Sequence, residues 1–364
     1  YKEKDEMGMY RGGPAYFIEK AMGQRWYAWL FAICTIMAVG FCLPGIQANS
    51  IVAAAENAWG IPPIAGASII AFGVALIVFG GIRRIASFTQ VIVPLMALGY
   101  ILIALVVMAV NYEKIPSMFY LIIDSAFFGQ AGFGAIVGLA IQWGVKRGIY
   151  SNEAGQGTAP HAAAAAEVSH PAKQGLVQAF SVYIDTLFVC TATAFMILLT
   201  GLYNVEGPDG VMLYTGLAGI EAGPIYVQSA FETILPGLGA SLLAISLFFF
   251  AFTTILAYYY IAETNVMFIN RKTQRPWLMI FLKWLLLSSV MYGGIKSADL
   301  AWALGDVGVG AMAWLNIVAI LILQRPALLT LKDYESQLKM GKDPDFDSHT
   351  IGIKNAEYWI KRPR

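Results

Sequence analysis

Charge is scarce in this chain. Only 13% of its 364 residues are Asp, Glu, Lys or Arg, 58% are hydrophobic, and mean hydropathy is +0.63. An ordinary soluble domain carries about twice that share of charge, so the composition excludes one and points to a bilayer as the solvent. Neither sign is in excess: 24 basic and 23 acidic residues leave a net charge of +1. That removes the basic field needed to hold nucleic acid. Cysteine is rare too. Cys34, Cys42 and Cys190 lie in apolar runs without CxxC spacing, which argues against a metal cluster or disulfide framework and leaves reduced packing residues. His161, His170 and His349 match no metal-binding helix pattern and are expected in surface or loop structure. There is no GxSxG elbow, HExxH pair or Walker loop, so nothing supports an enzyme. No Pro/Ser-rich linker or low-complexity run divides the chain. Its polar opening, YKEKDEMGMYRGGP, has no initiator Met. It reads as neither a signal peptide nor a natural beginning, and a fragment is expected.

What is present is a series of long charge-poor gaps. A helix needs about 20 mostly apolar residues to cross a bilayer, where only internal bonding satisfies its backbone. No charged residue occurs between Arg25 and Glu56, between Glu56 and Arg83, or between Arg84 and Glu113, which gives spans one to three. Residues 124–146 give a fourth, 175–201 a fifth containing Asp185, and 232–263 a sixth. Residues 276–295, crossed only by Lys283, and 300–323, containing only Asp306, complete eight. The expectation is an all-α polytopic membrane protein with eight transmembrane helices. Its parts are a cytoplasmic segment 1–25 with a short amphipathic helix, a transmembrane domain 26–324, and a cytoplasmic tail 325–364. If the amino end is inside, the inner loops carry Arg83, Arg84, Lys146, Arg147, Lys173, Arg271, Lys272 and Arg275, while the outer loops keep Lys114 and Lys296. That asymmetry is the positive-inside signal of a multi-pass protein of the plasma (cell inner) membrane.

Several polar or glycine-rich patches interrupt the apolar runs. The fourth span reads FFGQAGFGAIVG, so Gly129, Gly132, Gly134 and Gly138 either break the helix or give a small-residue packing face. A broken helix at membrane depth frees amides and carbonyls for a ligand. In the sixth span, Thr253 and Thr254 with the Phe250 carbonyl are part of a sodium shell, or the hydroxyls bond the preceding turn in the ordinary way. Tyr258 follows one turn on. In the first span Pro44 and Gly45 loosen the backbone before Gln47, Asn49 and Ser50. Gln47 then either bonds a substrate or ties helices together. Asp185 and Asp306 are intramembrane carboxylates, candidates for an ion pathway, a proton relay or a buried pair. In the stretch KRGIYSNEAGQGTAPH, Arg147 and Glu153 form an inner gate or an ordinary surface pair.

Five segments carry a resemblance to a known family: GGPAYFIEKAMG, GIQANS, RGIYSNEAGQGTAPHAAAA, YIDTLFVCTATA and FAFTTILAYYYIAE. They resemble the alanine or glycine:cation symporters, over residues 1 to about 334, within the amino acid-polyamine-organocation superfamily. The resemblance implies a leucine-transporter-like fold of two five-helix inverted repeats, of which this chain holds core helices three to ten. Its first helices, with the first broken one, would be missing, so the fragment alone is not expected to transport. It also implies sodium-coupled import of alanine or glycine by alternating access, with no organic cofactor. Gln47 then matches a substrate-facing position, Thr253 and Thr254 the sodium-site hydroxyl pair with Thr254 also facing substrate, and Gly129 to Gly134 the unwound turn. Tyr258 stands where many members have Trp, and Ala257 replaces a Gly, which leaves the pocket shape open. Two rivals stand beside this reading: a proton-coupled carrier using Asp185 or Asp306, and an amino-acid-binding sensor or channel.

Overall fold

The computed structural model of the chain describes residues 1–5, 8–80, 82–127, 133–207 and 211–360. A small hairpin, β1 (Glu3–Lys4) with β2 (Tyr10–Arg11), leads into α1 (Pro14–Met22). Then α2 (Arg25–Met37), a π-helical segment (Ala38–Cys42) and α3 (Leu43–Trp59) form one continuous helix of 35 residues. Pro44 explains the π segment: it has no N–H, and its ring crowds the carbonyl four residues back, so the helix widens just before it. Next come α4 (Pro63–Val78), α5 (Ile82–Val110), α6 (Ile115–Phe127), α7 (Phe133–Asn152) and α8 (Ala159–Ala165). The following helix is α9 (Pro171–Tyr183), continued through a second π segment (Ile184–Cys190) into α10 (Thr191–Thr200). A second hairpin, β3 (Asn204–Glu206) with β4 (Met212–Thr215), precedes α11 (Pro224–Glu232), α12 (Gly239–Asn270), α13 (Trp277–Ile295), α14 (Ala298–Lys339) and α15 (Glu357–Ile360).

The chain is a polytopic all-α membrane protein. Among the described residues, six helices are long and apolar enough to cross a bilayer: Arg25–Trp59, Val93–Val110, Pro171–Thr200, Gly239–Asn270, Trp277–Ile295 and Ala298–Lys339. They coincide with the expected first, third, fifth, sixth, seventh and eighth spans. The expected second span is the shorter Pro63–Val78. At the expected fourth, α6 ends at Phe127 and α7 begins at Phe133, and residues 128–132 lie outside the described ones. The last helix runs unbroken through Pro326 to Lys339, so the segment expected as a tail from residue 325 starts as helix.

The main core joins α1–α4 to α12–α14, and a second cluster joins α5, α10, α11 and α12. Large apolar side chains such as Phe72, Leu95, Phe180, Trp284 and Trp314 face outward, as a hydrocarbon surround permits. Where α3 crosses α13 the backbones touch: a Cβ on Gly293 would collide with the Gly45 backbone. The crossing is fixed by Ser289 Oγ, which donates to the Phe41 carbonyl in the π segment, and by Asn49 Nδ2, which donates to Gly293 O (3.1 Å) and Lys296 O (2.8 Å). Asn49 thus ties helices together. Lys283 lies 4.6 Å from the Phe79 ring, facing protein.

Candidate functional site

Of the residues expected to carry chemistry, Gln47, Glu153 and Tyr258 come near one another where α3, α12 and the loop after α7 meet. On α12, Thr253 Oγ1 (3.0 Å) and Thr254 Oγ1 (2.9 Å) both donate to the Phe250 carbonyl. This is the back-bonding that Ser and Thr make in any apolar helix, yet it also sets three oxygens side by side on one helical turn. Each hydroxyl keeps its lone pairs for a hard cation. One turn on is the buried Tyr258, and the Gln47 amide on α3 and the Glu153 carboxyl are among the polar groups near its hydroxyl. Gln47, Tyr258 and Glu153, far apart in sequence, therefore form one polar line beside the Thr pair.

Glu153 stands in an unusual backbone setting. It is a non-glycine residue in the left-handed region (φ 55°), and Gly155 and Gly157 follow with φ of 83° and 97°. Such conformations are strained for a residue with a side chain. The loop is also tightly walled: a Cβ at Gly157 would meet Phe31 at 2.8 Å, Pro14 at 3.0 Å and Asn316 at 3.1 Å. Asn316 Nδ2 donates to Gly155 O (2.9 Å), and Gln156 Nε2 donates to Ile149 O. The EAGQGT sequence is therefore what a chain threading between α1, α2 and α14 requires. Desolvation raises the Glu153 carboxyl above its usual range.

The expected Arg147–Glu153 pair is replaced by another. Arg147 Nη2 reaches Asp306 Oδ2 of α14 at 3.5 Å, and Lys146 Nζ reaches the same oxygen at 2.7 Å. The Arg147 guanidinium also lies over Trp302, 4.6 Å from the ring centre. Arg147 lies instead on the aromatic face around Asp306. Lys146 and Arg147, grouped with the inner-loop charges, thus engage the first third of α14. Asp185 sits in the second π segment and accepts from Ser151 Oγ (2.7 Å), while Asn152 Nδ2 donates to Thr186 Oγ1 (3.1 Å). The Asp185–Thr186 pair therefore braces α7 against α9. Gly129 and Gly132 lie outside the described residues, and Gly134 lies in the first turn of α7.

The sequence motifs also build a structural seam that the residue types alone did not announce. His161, expected in surface or loop structure, is fully buried: Asn265 Nδ2 donates to its Nε2 (2.8 Å), and its Nδ1 lies 3.2 Å from Thr158 O. The accepting Nε2 assigns the proton to Nδ1. Burial drives its pKa down to about 4. A Cβ at Gly13 would fall 2.6 Å from the imidazole, and one at Gly12 2.6 Å from Ala164 Cβ. The GGPAYF and TAPHAAAA motifs are thus two sides of one contact. Beside it, Arg11 pairs with Asp5 (2.8 Å) and with Glu263 of α12 (3.2 Å). His170 is likewise buried, with Nε2 3.1 Å from Asp333 Oδ2.

A sequence model of the sodium:alanine symporter family matches residues 1–348. A putative sodium/proton-dependent alanine carrier protein, YrbD of Bacillus subtilis strain 168, is 56% identical over 361 residues, covering 99% of this chain and 74% of that protein. A sodium/proton-dependent alanine carrier protein of Bacillus sp. strain PS3 is 52% identical over 325 residues, covering 89% and 73%. The sodium/alanine symporter AgcS of Methanococcus maripaludis is 35% identical over 328 residues, covering 89% and 69%.

Proposed function

The chain belongs to the sodium:alanine symporter family, and from that premise we propose that it is the greater part of a carrier importing alanine together with sodium. At the coarser level the family makes it a cation-coupled amino acid symporter of the membrane and not an enzyme. The observation that carries the finer reading is the α12 turn, where the Thr253 and Thr254 hydroxyls and the Phe250 carbonyl lie together next to the Gln47–Tyr258 line. In this reading the oxygen turn takes sodium and Gln47, with Thr254 and Tyr258, faces the amino acid. Gly129, Gly132 and Gly134 are assigned to substrate binding in the same reading. The buried Tyr258 ring beside Gln47 favours a small side chain, so alanine, then glycine, is the expected cargo. Arg147 is proposed to gate through Asp306, and Glu153 to move with the same segment.

Alternating access follows from rocking of helices about this point. A zwitterion is neutral, so one sodium moved with it carries one charge, worth roughly 2.3 kcal/mol per 100 mV of inside-negative potential. The amino-terminal segment 1–25, the loop after α8 and the tail 325–364 are assigned to the cytoplasm. They meet at one end of the molecule: Asn355 Nδ2 donates to Lys20 O, Lys2 Nζ to Ala166 O, and Lys173 pairs with Asp343. Gathering basic loops at one end supports that orientation.

The test is labelled alanine uptake by the full-length transporter in proteoliposomes, with and without an inward sodium gradient. The Thr253→Ala, Thr254→Ala variant should lose the sodium stimulation by at least about tenfold, the order of 1.4 kcal/mol. Uptake indifferent to sodium in the parent protein would sink the reading. Among the rivals, proton coupling is favoured by a specific observation, the two relatives named for both cations.

A further inference from the structure

The start of α9 is held by hydrogen bonds more than by packing. None of its described residues belongs to either of the two large apolar cores. A cavity of about 550 Å³ lies between it and α14, walled by Gly175 and Ala179 of α9, Leu323 and Ala327 of α14, and Phe346 and Trp359 of the segment after α14. What fixes the first turn is a side chain. His170 is the N-cap of α9, and its Nδ1 accepts from Ala172 N (3.1 Å), satisfying one of the amides that a helix start leaves unpaired. The same imidazole reaches α14, with Nε2 3.1 Å from Asp333 Oδ2. That oxygen also accepts from Gln337 Nε2 (2.9 Å), one turn further along α14. Gln337 in turn grips the following segment through both ends of its amide: Nε2 donates to Asp345 O (2.9 Å), and Oε1 accepts from Asp345 N (2.9 Å). Phe346 N then donates to Ser169 O (3.1 Å), and Ser169 Oγ donates to Pro344 O (2.8 Å). The circuit closes on the residue next to His170.

These bonds assign the imidazole its tautomer. Nδ1 accepts from a backbone N–H, so it carries no proton, and the single ring proton sits on Nε2, where it donates to Asp333. The ring is buried. Tyr334 (centroids 5.2 Å apart) and Phe346 (5.0 Å, edge-on at 82°) wall it in, so it cannot swing aside while Phe346 stays docked. A second proton has one place to go, Nδ1, and there it would set two donors, Nδ1–H and Ala172 N–H, against each other. Relief comes only if the ring leaves its socket, and Phe346 with it, or if the first turn of α9 unwinds. The charged groups facing the ring are Asp333 of α14, Lys173 of α9 and Asp345 of the following segment, with Lys173 itself 2.7 Å from Asp343. Tyr334 is the other titratable group against it. Burial, the largest influence, lowers the pKa of the ring; Asp333 and Asp345 oppose it, and Lys173 adds to it.

We propose that this circuit is an acid-released catch: while His170 is neutral it fastens the segment after α14 to the start of α9, and a proton on His170 Nδ1 lets Phe346 and the first turn of α9 come away from each other. The proton is taken from water, with no other covalent bond made or broken. The sign follows from the lowered pKa: the catch is at full strength above about pH 6.5, the value of a free histidine, and weakens as pH falls below it. The fastening of the same segment to α1, where Asn355 Nδ2 donates to Lys20 O (2.9 Å), does not pass through His170. The segment therefore stays tethered at its far end when the near end lets go. In the carrier reading the catch sets how freely this end of α9 moves against α14 as access alternates. The inference itself rests on the bonds around His170 and not on that reading.

The experiment is hydrogen–deuterium exchange of the full-length transporter in detergent across about pH 5 to 8, corrected for the intrinsic rate at each pH. It is read in peptides covering Ala172, Asp345 and Phe346, whose amides the catch protects. In the parent protein their protection should fall at least about fivefold from the top of the range to the bottom. His170→Asn keeps an oxygen able to cap α9 but takes up no proton, so its protection should vary less than about twofold. Asp333→Asn keeps an acceptor for His170 and removes the charge that favours the imidazolium, so release should move to lower pH by about one unit; it decides the matter should the His170 variant not fold. Equal protection across the range in the parent overturns the proposal. So does a His170→Asn protein with the parent's profile, or an Asp333→Asn protein whose midpoint stays or rises. A loss matched in α3 and α13 is general softening and overturns it as well. Exchange is read without alanine or sodium, so the outcome is independent of the carrier reading.

Discussion

His161 and Glu153 lie on the same short segment, and both carry an ionisable side chain, yet they are built in opposite ways. His161 has both ring nitrogens engaged, by Asn265 and by Thr158 O, and its ring fills the space that a Cβ on Gly13 would take. Glu153 instead is only partly buried, the Thr158 and Tyr150 hydroxyls of the same stretch are unpartnered among the described residues, and its backbone lies in a strained region. A closed contact of the first kind has one good arrangement. The structure thus separates a closed contact from one whose polar groups are incompletely paired.

The sharpest way to break this comparison is at the seam. Gly13 has φ of 132° and no room for a methyl group against the imidazole. Gly13→Ala therefore combines backbone strain with overpacking, each about 1–3 kcal/mol. The expected loss is about 4 kcal/mol of stability, read as a fall in melting temperature of the purified transporter in detergent. A variant melting with the parent protein would mean that the seam yields, and the distinction between the two regions would fail.

Acid tests the same seam through its titration. The folded pKa of His161 is about 4, against 6.5 for the free side chain, so the unfolded chain binds the proton more readily. Stability is therefore full above about pH 6.5, declines as pH falls towards 4, and levels off below it. For so deeply buried a ring the shift corresponds to about 3 kcal/mol. His170, also lowered by burial, pulls in the same direction. Melting temperature against pH should show this slope, and His161→Leu should lose most of it. A parent profile without the slope would show the imidazole to be more accessible than its packing implies.

Much of the fold was legible because hydrocarbon imposes a one-dimensional rule: charge-free length. Six spans follow from it directly, and the Pro44–Gly45 irregularity appears where the sequence puts it, as a π segment packed on Gly293. The candidate site was legible by parts. Gln47, Thr253, Thr254 and Tyr258 could be singled out as polar groups in apolar helices, but their meeting depends on how α3 packs on α12. No spacing rule encodes that. The partner of Arg147 was misread for a related reason: proximity along the chain favoured Glu153, while Asp306 comes from a distant helix. His161 looked like a loop residue because the glycines that enclose it lie near the opposite end of the chain's amino-terminal half.

The smallest effect is expected at the rim of the seam, where the carboxyl-terminal segment returns to the loop before α9. Lys173 Nζ and Asp343 Oδ1 are 2.7 Å apart, but the Asp343 side chain is 82% exposed. Water screens such a pair and holding two long side chains costs entropy, so Lys173→Ala should cost less than about 0.5 kcal/mol. The segment has firmer anchors beside it: Phe346 N donates to Ser169 O, Ser169 Oγ donates to Pro344 O, and Phe346, Ala356 and Trp359 form a small apolar core of their own. Limited proteolysis of the Lys173→Ala transporter should therefore cut the tail no faster than in the parent. Rapid release of the tail would show that the ion pair holds it. The closed character of the seam would then depend on salt, and high ionic strength alone should reproduce the effect.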